Sequence, residues 1–122
     1  LSVPLLVVIF LFLISNSKKG GKKVSCQTLI SLSNQDKALI IDVRDSSSFD
    51  AGHITASKNI PSKDLARRSN EINNNEKFIV LVCESGNISK NAGETLKKEG
   101  FENVCTLKGG INEWKMCNLP LV

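Results

Sequence analysis

The chain has 122 residues, one histidine, four cysteines and a net charge of +4, a length that supports one domain with a modest core. Four of its sixteen cationic residues lie at positions 18–23, which leaves twelve against twelve acidic residues from Val24 onward. A neutral domain lacks the basic face of a nucleic-acid binder, and one histidine with no Cys-x-x-Cys argues against a zinc site.

Residues 1–17 form an apolar segment, uncharged from Leu1 to Ile14. Fourteen helical residues cover only about 21 Å of a roughly 30 Å hydrocarbon layer. The first residue is Leu, so the chain is expected to begin inside a longer hydrophobic segment. The basic linker at 18–23 holds Lys18, Lys19, Lys22 and Lys23. By the positive-inside rule this cluster favours a membrane anchor with the domain, 24–122, in the cytoplasm. The alternative is a cleaved signal peptide, with Ser15 and Ser17 at cleavage-site spacing and an exported domain. In that case the four cysteines could form two disulfides.

Within the domain, Ser25 is placed to cap a short helix over 26–32. The run Ala38-Leu39-Ile40-Ile41 reads as a strand that ends at Asp42-Val43-Arg44-Asp45. Three serines and Phe49-Asp50-Ala51-Gly52-His53-Ile54 follow, then a short strand over 56–60 that stops at Pro61. Ser62 is expected to cap a helix from Lys63 into the 67–72 region, and Asn73-Asn74-Asn75 reads as a solvated loop.

Phe78-Ile79-Val80-Leu81-Val82 has the length and β-branched content of a buried strand. It stops at Cys83, and a turn with Gly86 and Asn87 leads into a helix over 89–99 closed by Gly100. Cys83 therefore lies where a strand ends and a helix begins. Open α/β sheets place their sites there, and the unpaired first N–H groups of a helix favour an anion. Residues 83–88 read as a cradle of inward N–H groups around the Cys83 sulfur. For a cysteine without such a loop, a buried structural role would be the better reading. Asn103 to Leu107 is a further strand, with Cys105 in its apolar run. Lys108-Gly109-Gly110 turns the chain into a helix over 111–116 carrying Trp114. Strands alternating with helices predict an α/β domain with a largely parallel central sheet flanked by helices.

Three segments resemble the single-domain rhodanese (sulfurtransferase) family. They are Asp42-Val43-Arg44 through Gly52-His53-Ile54 to Asn59-Ile60-Pro61, then Cys83-x-x-Gly86-x-x-Ser89, then Leu107-x-Gly109-Gly110-x-x-x-Trp114. The hydrophobic N-terminus and the lysines resemble the membrane-anchored bacterial members. The resemblance implies a sulfur transfer in which Cys83 is the nucleophile and carries a persulfide. The substrate-binding loop is Glu84, Ser85, Gly86, Asn87 and Ile88; Asp42 and Arg44 give structural support, and His53 holds the chain turn. Implied partners are a small sulfur donor such as thiosulfate or a persulfide, and a thiol or cyanide acceptor. No metal or organic cofactor is implied. The membrane and a membrane protein are further expected partners; nucleic acid is not.

The departures from the family pattern are equally specific. Ser48 stands where an acidic residue is common, so Arg44 is expected to turn to Asp45 or Asp50. Glu84 and Ile88 stand where Arg, or Arg and Thr, are common, so the loop loses cationic help for an anionic donor. A catalytically weak or inactive tethered binding module is therefore the alternative. A phosphatase or arsenate reductase of the same fold ranks low, because Ser89 stands where the phosphate-gripping Arg would be.

Overall fold

The computed structural model describes residues 22–72 and 77–122. The apolar segment 1–17, residues 18–21 of the linker and the Asn73–Asn75 loop lie outside the described residues. Among the described residues no helix is long and apolar enough to cross a membrane. In chain order the elements are β1 (Lys22–Val24), α1 (Cys26–Asn34), β2 (Ala38–Asp42), α2 (Ser46–Ala51) and β3 (Lys58–Asn59). Two 3-10 turns, Ser62–Asp64 and Ser69–Glu71, lead to β4 (Phe78–Val82), α3 (Asn87–Lys98), β5 (Val104–Leu107) and α4 (Gly110–Met116).

The five strands form one parallel sheet in the order β1-β5-β4-β2-β3. Helices cover both faces, so the central strands are apolar throughout rather than alternating. In β4 every residue is buried. Phe78, Val80 and Val82 pack on one face with Leu29 and Leu32 of α1 and with Ile111 and Trp114 of α4. Ile79, Leu81 and then Cys83 point to the other face, among Ala92 and Leu96 of α3 and Leu65. The period of two thus delivers the Cys83 side chain to the α3 side.

Register decides which strand ends meet. Asp42 lies opposite Val82, and Asn59 lies opposite Asp42. Two residues further on, Arg44 and Glu84 leave adjacent strands side by side. On the other flank Leu81 lies opposite Thr106, which brings the start of α4 beside the loop after β4.

Several boundaries depart from the sequence reading. Lys22 and Lys23, read as linker, pair with Cys105 and Thr106 in β1. The strand expected over 56–60 is only Lys58–Asn59, because Ala56 takes a left-handed φ of 68°. The helix expected from Lys63 to the 67–72 region is two separate 3-10 turns, and Pro61 rather than Ser62 precedes the first, with no side-chain cap. The three serines, to which the sequence assigns no element, open α2. The helix expected at 89 starts two residues earlier, at Asn87. Ser25 does cap α1, accepting from the Thr28 N–H at 3.1 Å.

Candidate active site

Cys83 directly follows β4 and is 1% exposed. Gly86, with φ of 99°, bends the chain back so that its N–H donates to Cys83 Sγ at 2.9 Å. A left-handed conformation of this kind favours glycine. The Ser89 N–H, in the first turn of α3, donates to the same sulfur at 3.4 Å. The sulfur thus takes the place that a Ser or Asp side chain fills at an ordinary helix N-terminus. Partial positive charge at that terminus points toward it.

The loop is held from behind as well. The Ile111 N–H donates to the Cys83 carbonyl at 2.8 Å, and the Asn112 N–H donates to the Glu84 carbonyl at 3.0 Å. The N-terminal N–H groups of α4 therefore hold the Cys83 and Glu84 carbonyls outward while the Gly86 N–H turns inward to the sulfur. Gly110 makes the approach possible. A Cβ there would lie 2.2 Å from the Cys83 carbonyl oxygen and 2.8 Å from the Glu84 carbonyl carbon, and its φ is 59°.

Beside the cradle stands a buried charge. Arg44 is 8% exposed, and its Nε and Nη2 donate to both oxygens of Asp42, the Nη2 at 2.8 Å. Its Nη2 also donates to the Gly52 carbonyl at 2.6 Å. Its Nη1 lies 3.5 Å from Glu84 Oε2. Burial works to lower the Arg44 pKa, but the bonds from Asp42 and the charges of Asp42 and Glu84 hold it above the ordinary value. Arg44 therefore uses Asp42 and Glu84, not Asp45 or Asp50. The register explains the change: residue 44 is set opposite residue 84.

Of the loop residues named from sequence, Glu84, Ser85, Asn87 and Ile88 are exposed and Gly86 is half-buried. The Glu84 side chain is 53% exposed at the mouth. The loop carries no cationic side chain from 84 to 88. His53 lies outside this set. Its Nδ1 donates to the Phe49 carbonyl at 2.8 Å, and its ring stacks on Phe49 at 3.8 Å.

Three contributors escaped the sequence reading of the site. Ser89 supplies the second N–H to the sulfur, and its Oγ is buried without a hydrogen-bond partner among the described residues. Asn59 Nδ2 donates to the carbonyls of Asp42 and Arg44, fixing the end of β2. Gly110 gives the close approach of α4. Each lies in a segment already singled out as a motif, so position was legible and role was not.

The Rhodanese-like domain family matches residues 25–117. The chain belongs to the rhodanese-like family. It is 32% identical over 97 residues to the thiosulfate sulfurtransferase GlpE of Shewanella oneidensis, covering 80% of this chain and 95% of that protein. Over 78 residues it is 41% identical to the uncharacterized protein YqhL of Bacillus subtilis, covering 64% of this chain and 61% of YqhL. A crystal structure of a rhodanese-related protein from Thermoplasma volcanium superposes with a TM-score of 0.74 at 28% identity, over 83% of this chain and 97% of that one.

Gly110→Ala tests the rear support of the rhodanese loop. The added Cβ meets backbone atoms of Cys83 and Glu84, so the loop must shift rather than a side chain. We expect a loss of about 2–4 kcal/mol in urea unfolding, together with slower alkylation or sulfuration of Cys83. Unchanged stability and unchanged Cys83 reactivity would show that the approach is not constraining.

Proposed function

We propose that the protein is a sulfurtransferase that passes a sulfane sulfur through a persulfide on Cys83. The observation that carries this reading is the sulfur at the end of β4 accepting two backbone N–H groups. In the first step the Cys83 thiolate attacks the outer sulfur of the donor. With thiosulfate, a sulfur–sulfur bond forms to Cys83, the donor's sulfur–sulfur bond breaks, and sulfite leaves with the electron pair. In the second step an acceptor thiolate or cyanide attacks the outer sulfur of the persulfide, and the Cys83 thiolate returns. The Gly86 and Ser89 N–H groups are placed to stabilise negative charge on sulfur as it develops, as an oxyanion hole does for oxygen. Cys83 is almost fully covered, which suits a donor whose reacting atom is a single terminal sulfur.

A second reading has its own observation. Glu84 puts a carboxylate at the mouth of the loop, where it pairs with the buried Arg44 at 3.5 Å, and the loop itself carries no cation toward an incoming anion. A slow carrier or tethered binding module fits that mouth better than a fast thiosulfate enzyme does. A phosphatase reading remains weak, because Ser89 stands where a phosphate-gripping arginine would be needed. For placement, the lysines at 18–23 and the apolar residues before them support a membrane anchor with the domain in the cytoplasm.

Three measurements follow. Thiosulfate treatment of the parent should add one sulfur to Cys83 by mass spectrometry, and Cys83→Ser should show neither the adduct nor transfer to cyanide. A parent thiol that stays unmodified would favour the binding-module reading.

Glu84→Gln removes the charge while keeping the shape. Screening in an exposed loop reduces the effect of one charge to about 0.4–1 kcal/mol, or roughly a two- to five-fold fall in KM for thiosulfate. The gain should shrink with added salt, and a neutral persulfide donor should be indifferent. A higher KM would mean that Glu84 matters through its link to Arg44, not through its charge.

A reporter fused after Val122 should be active only on the cytoplasmic side. Activity confined to the exported side would overturn the placement.

A further inference from the structure

Two cysteines stand apart from the Cys83 loop. Cys26 opens α1 and is 4% exposed; Cys117 follows the last turn of α4 and is exposed. They are 91 positions apart in the chain, yet both line one cavity of about 370 Å³, along with Ser25, Lys108, Glu113 and Leu119. The sheet brings them together. β1 and β5 are parallel neighbours with Val24 opposite Leu107, and the Lys108 N–H donates to the Val24 carbonyl at 2.8 Å. The helix after β1 and the helix after β5 therefore leave the same end of the sheet.

Both thiols are free. Burial pushes the Cys26 thiol up to about 11, and the neighbouring Cys117 side chain and the Glu113 carboxylate add to the shift. Cys117 Sγ in turn donates to Glu113 Oε2 at 3.8 Å. A buried thiol held protonated is slow to attack an outside reagent. A neighbour oxidised on the lining of the same cavity faces it without solvent access being needed.

We infer that Cys26 and Cys117 form a reversible redox pair that closes into a disulfide between the start of α1 and the end of α4. The oxidant is a low-molecular-weight disulfide. The exposed Cys117 thiolate attacks one of its sulfurs, forms a mixed disulfide and releases one small thiolate. The Cys26 sulfur then attacks the Cys117 sulfur of that mixed disulfide, and the second small thiolate leaves. The two protein protons pass to the two released thiolates. The protein is oxidised by two electrons, and the small disulfide is reduced to two thiols. The product ties together positions 26 and 117, which enclose nearly all of the domain, so it restrains the unfolded chain. It also fixes the far end of α4, whose near end carries the carbonyls of Cys83 and Glu84. The pair does not depend on the sulfur-transfer reading of Cys83.

The test uses the full chain carrying Cys83→Ser, so that only the other thiols respond. Oxidised glutathione is added in excess, free thiols are alkylated, and intact mass and non-reduced peptides are read. We expect loss of the mass of two hydrogens, one cross-linked peptide pair holding Cys26 and Cys117, and Cys105 alkylated only after unfolding. Dithiothreitol should reverse the change, and the unfolding midpoint should be higher before reduction than after it. With Cys26→Ser added, the reaction should stop with one glutathionyl group on Cys117. A glutathionyl group that persists on Cys117 while Cys26 is intact would overturn the pair. So would a cross-link through Cys105, or two thiols that remain open to alkylation throughout.

Discussion

The site depends on a carbonyl–amide exchange between a loop and two helices. The Gly86 and Ser89 N–H groups reach the Cys83 sulfur while the Cys83 and Glu84 carbonyls turn away from it to other partners. Those partners are the first N–H groups of α4, which would otherwise have none within their own helix. Two orphan sets thus satisfy one another across the loop. Gly110 is the point of closest approach, and any side chain there would separate α4 from Cys83. The geometry around the Cys83 sulfur is therefore a property of β5 and α4 as much as of the loop itself.

The buried Arg44 is the second constraint. A guanidinium taken out of water is costly unless its donors are matched. Here the two oxygens of Asp42, the Gly52 carbonyl and the Glu84 carboxylate share its donors, while Asn59 holds the backbone on either side. These partners come from the end of β2, the end of α2 and the Cys83 loop. Removing any one leaves a charge that the others must satisfy alone, so Arg44 couples loop position to the packing of α2. Glu84 consequently faces two ways: its carboxylate is half exposed at the mouth of the loop, yet it also completes the ring of acceptors around Arg44.

The sequence made the reactive end of the sheet legible because its signals are local. The run Phe78–Val82, the stop at Cys83 and the glycine at 86 each follow from chain chemistry within a few residues. The central strands and α1 with its Ser25 cap were legible for the same reason. What escaped depends on register. Glu84 meets Arg44 because Val82 pairs with Asp42, and no spacing rule within either segment conveys that. Lys22 and Lys23 look like a solvated linker because β1 is an edge strand whose pairing partner, β5, lies more than eighty residues away. The two 3-10 turns between 62 and 72 cannot be told from one helix in the sequence, because a polar stretch after a possible cap carries no strong periodicity. Among site residues, the role of Ser89 was hidden because its contribution is a backbone N–H, which every residue but proline possesses.

Four cysteines in one small domain also show how environment divides one chemistry. Cys105 lies within β5, and burial pushes its thiol up to about 12, with no opposing contribution. It behaves as a small apolar side chain of the core. Cys26 is likewise raised by burial, but it borders a cavity that it shares with an exposed thiol. Cys83 is as deeply covered as Cys105, and depth alone would make the two equivalent. What separates them is the pair of N–H groups aimed at one sulfur and not at the other. Those groups exist because β4 ends one residue before Cys83, whereas β5 continues for two residues past Cys105. Within the sheet, backbone donors are spent on the neighbouring strands; just beyond it, they are free to turn onto a side chain. Where a strand stops therefore decides which buried thiol the backbone donors can reach.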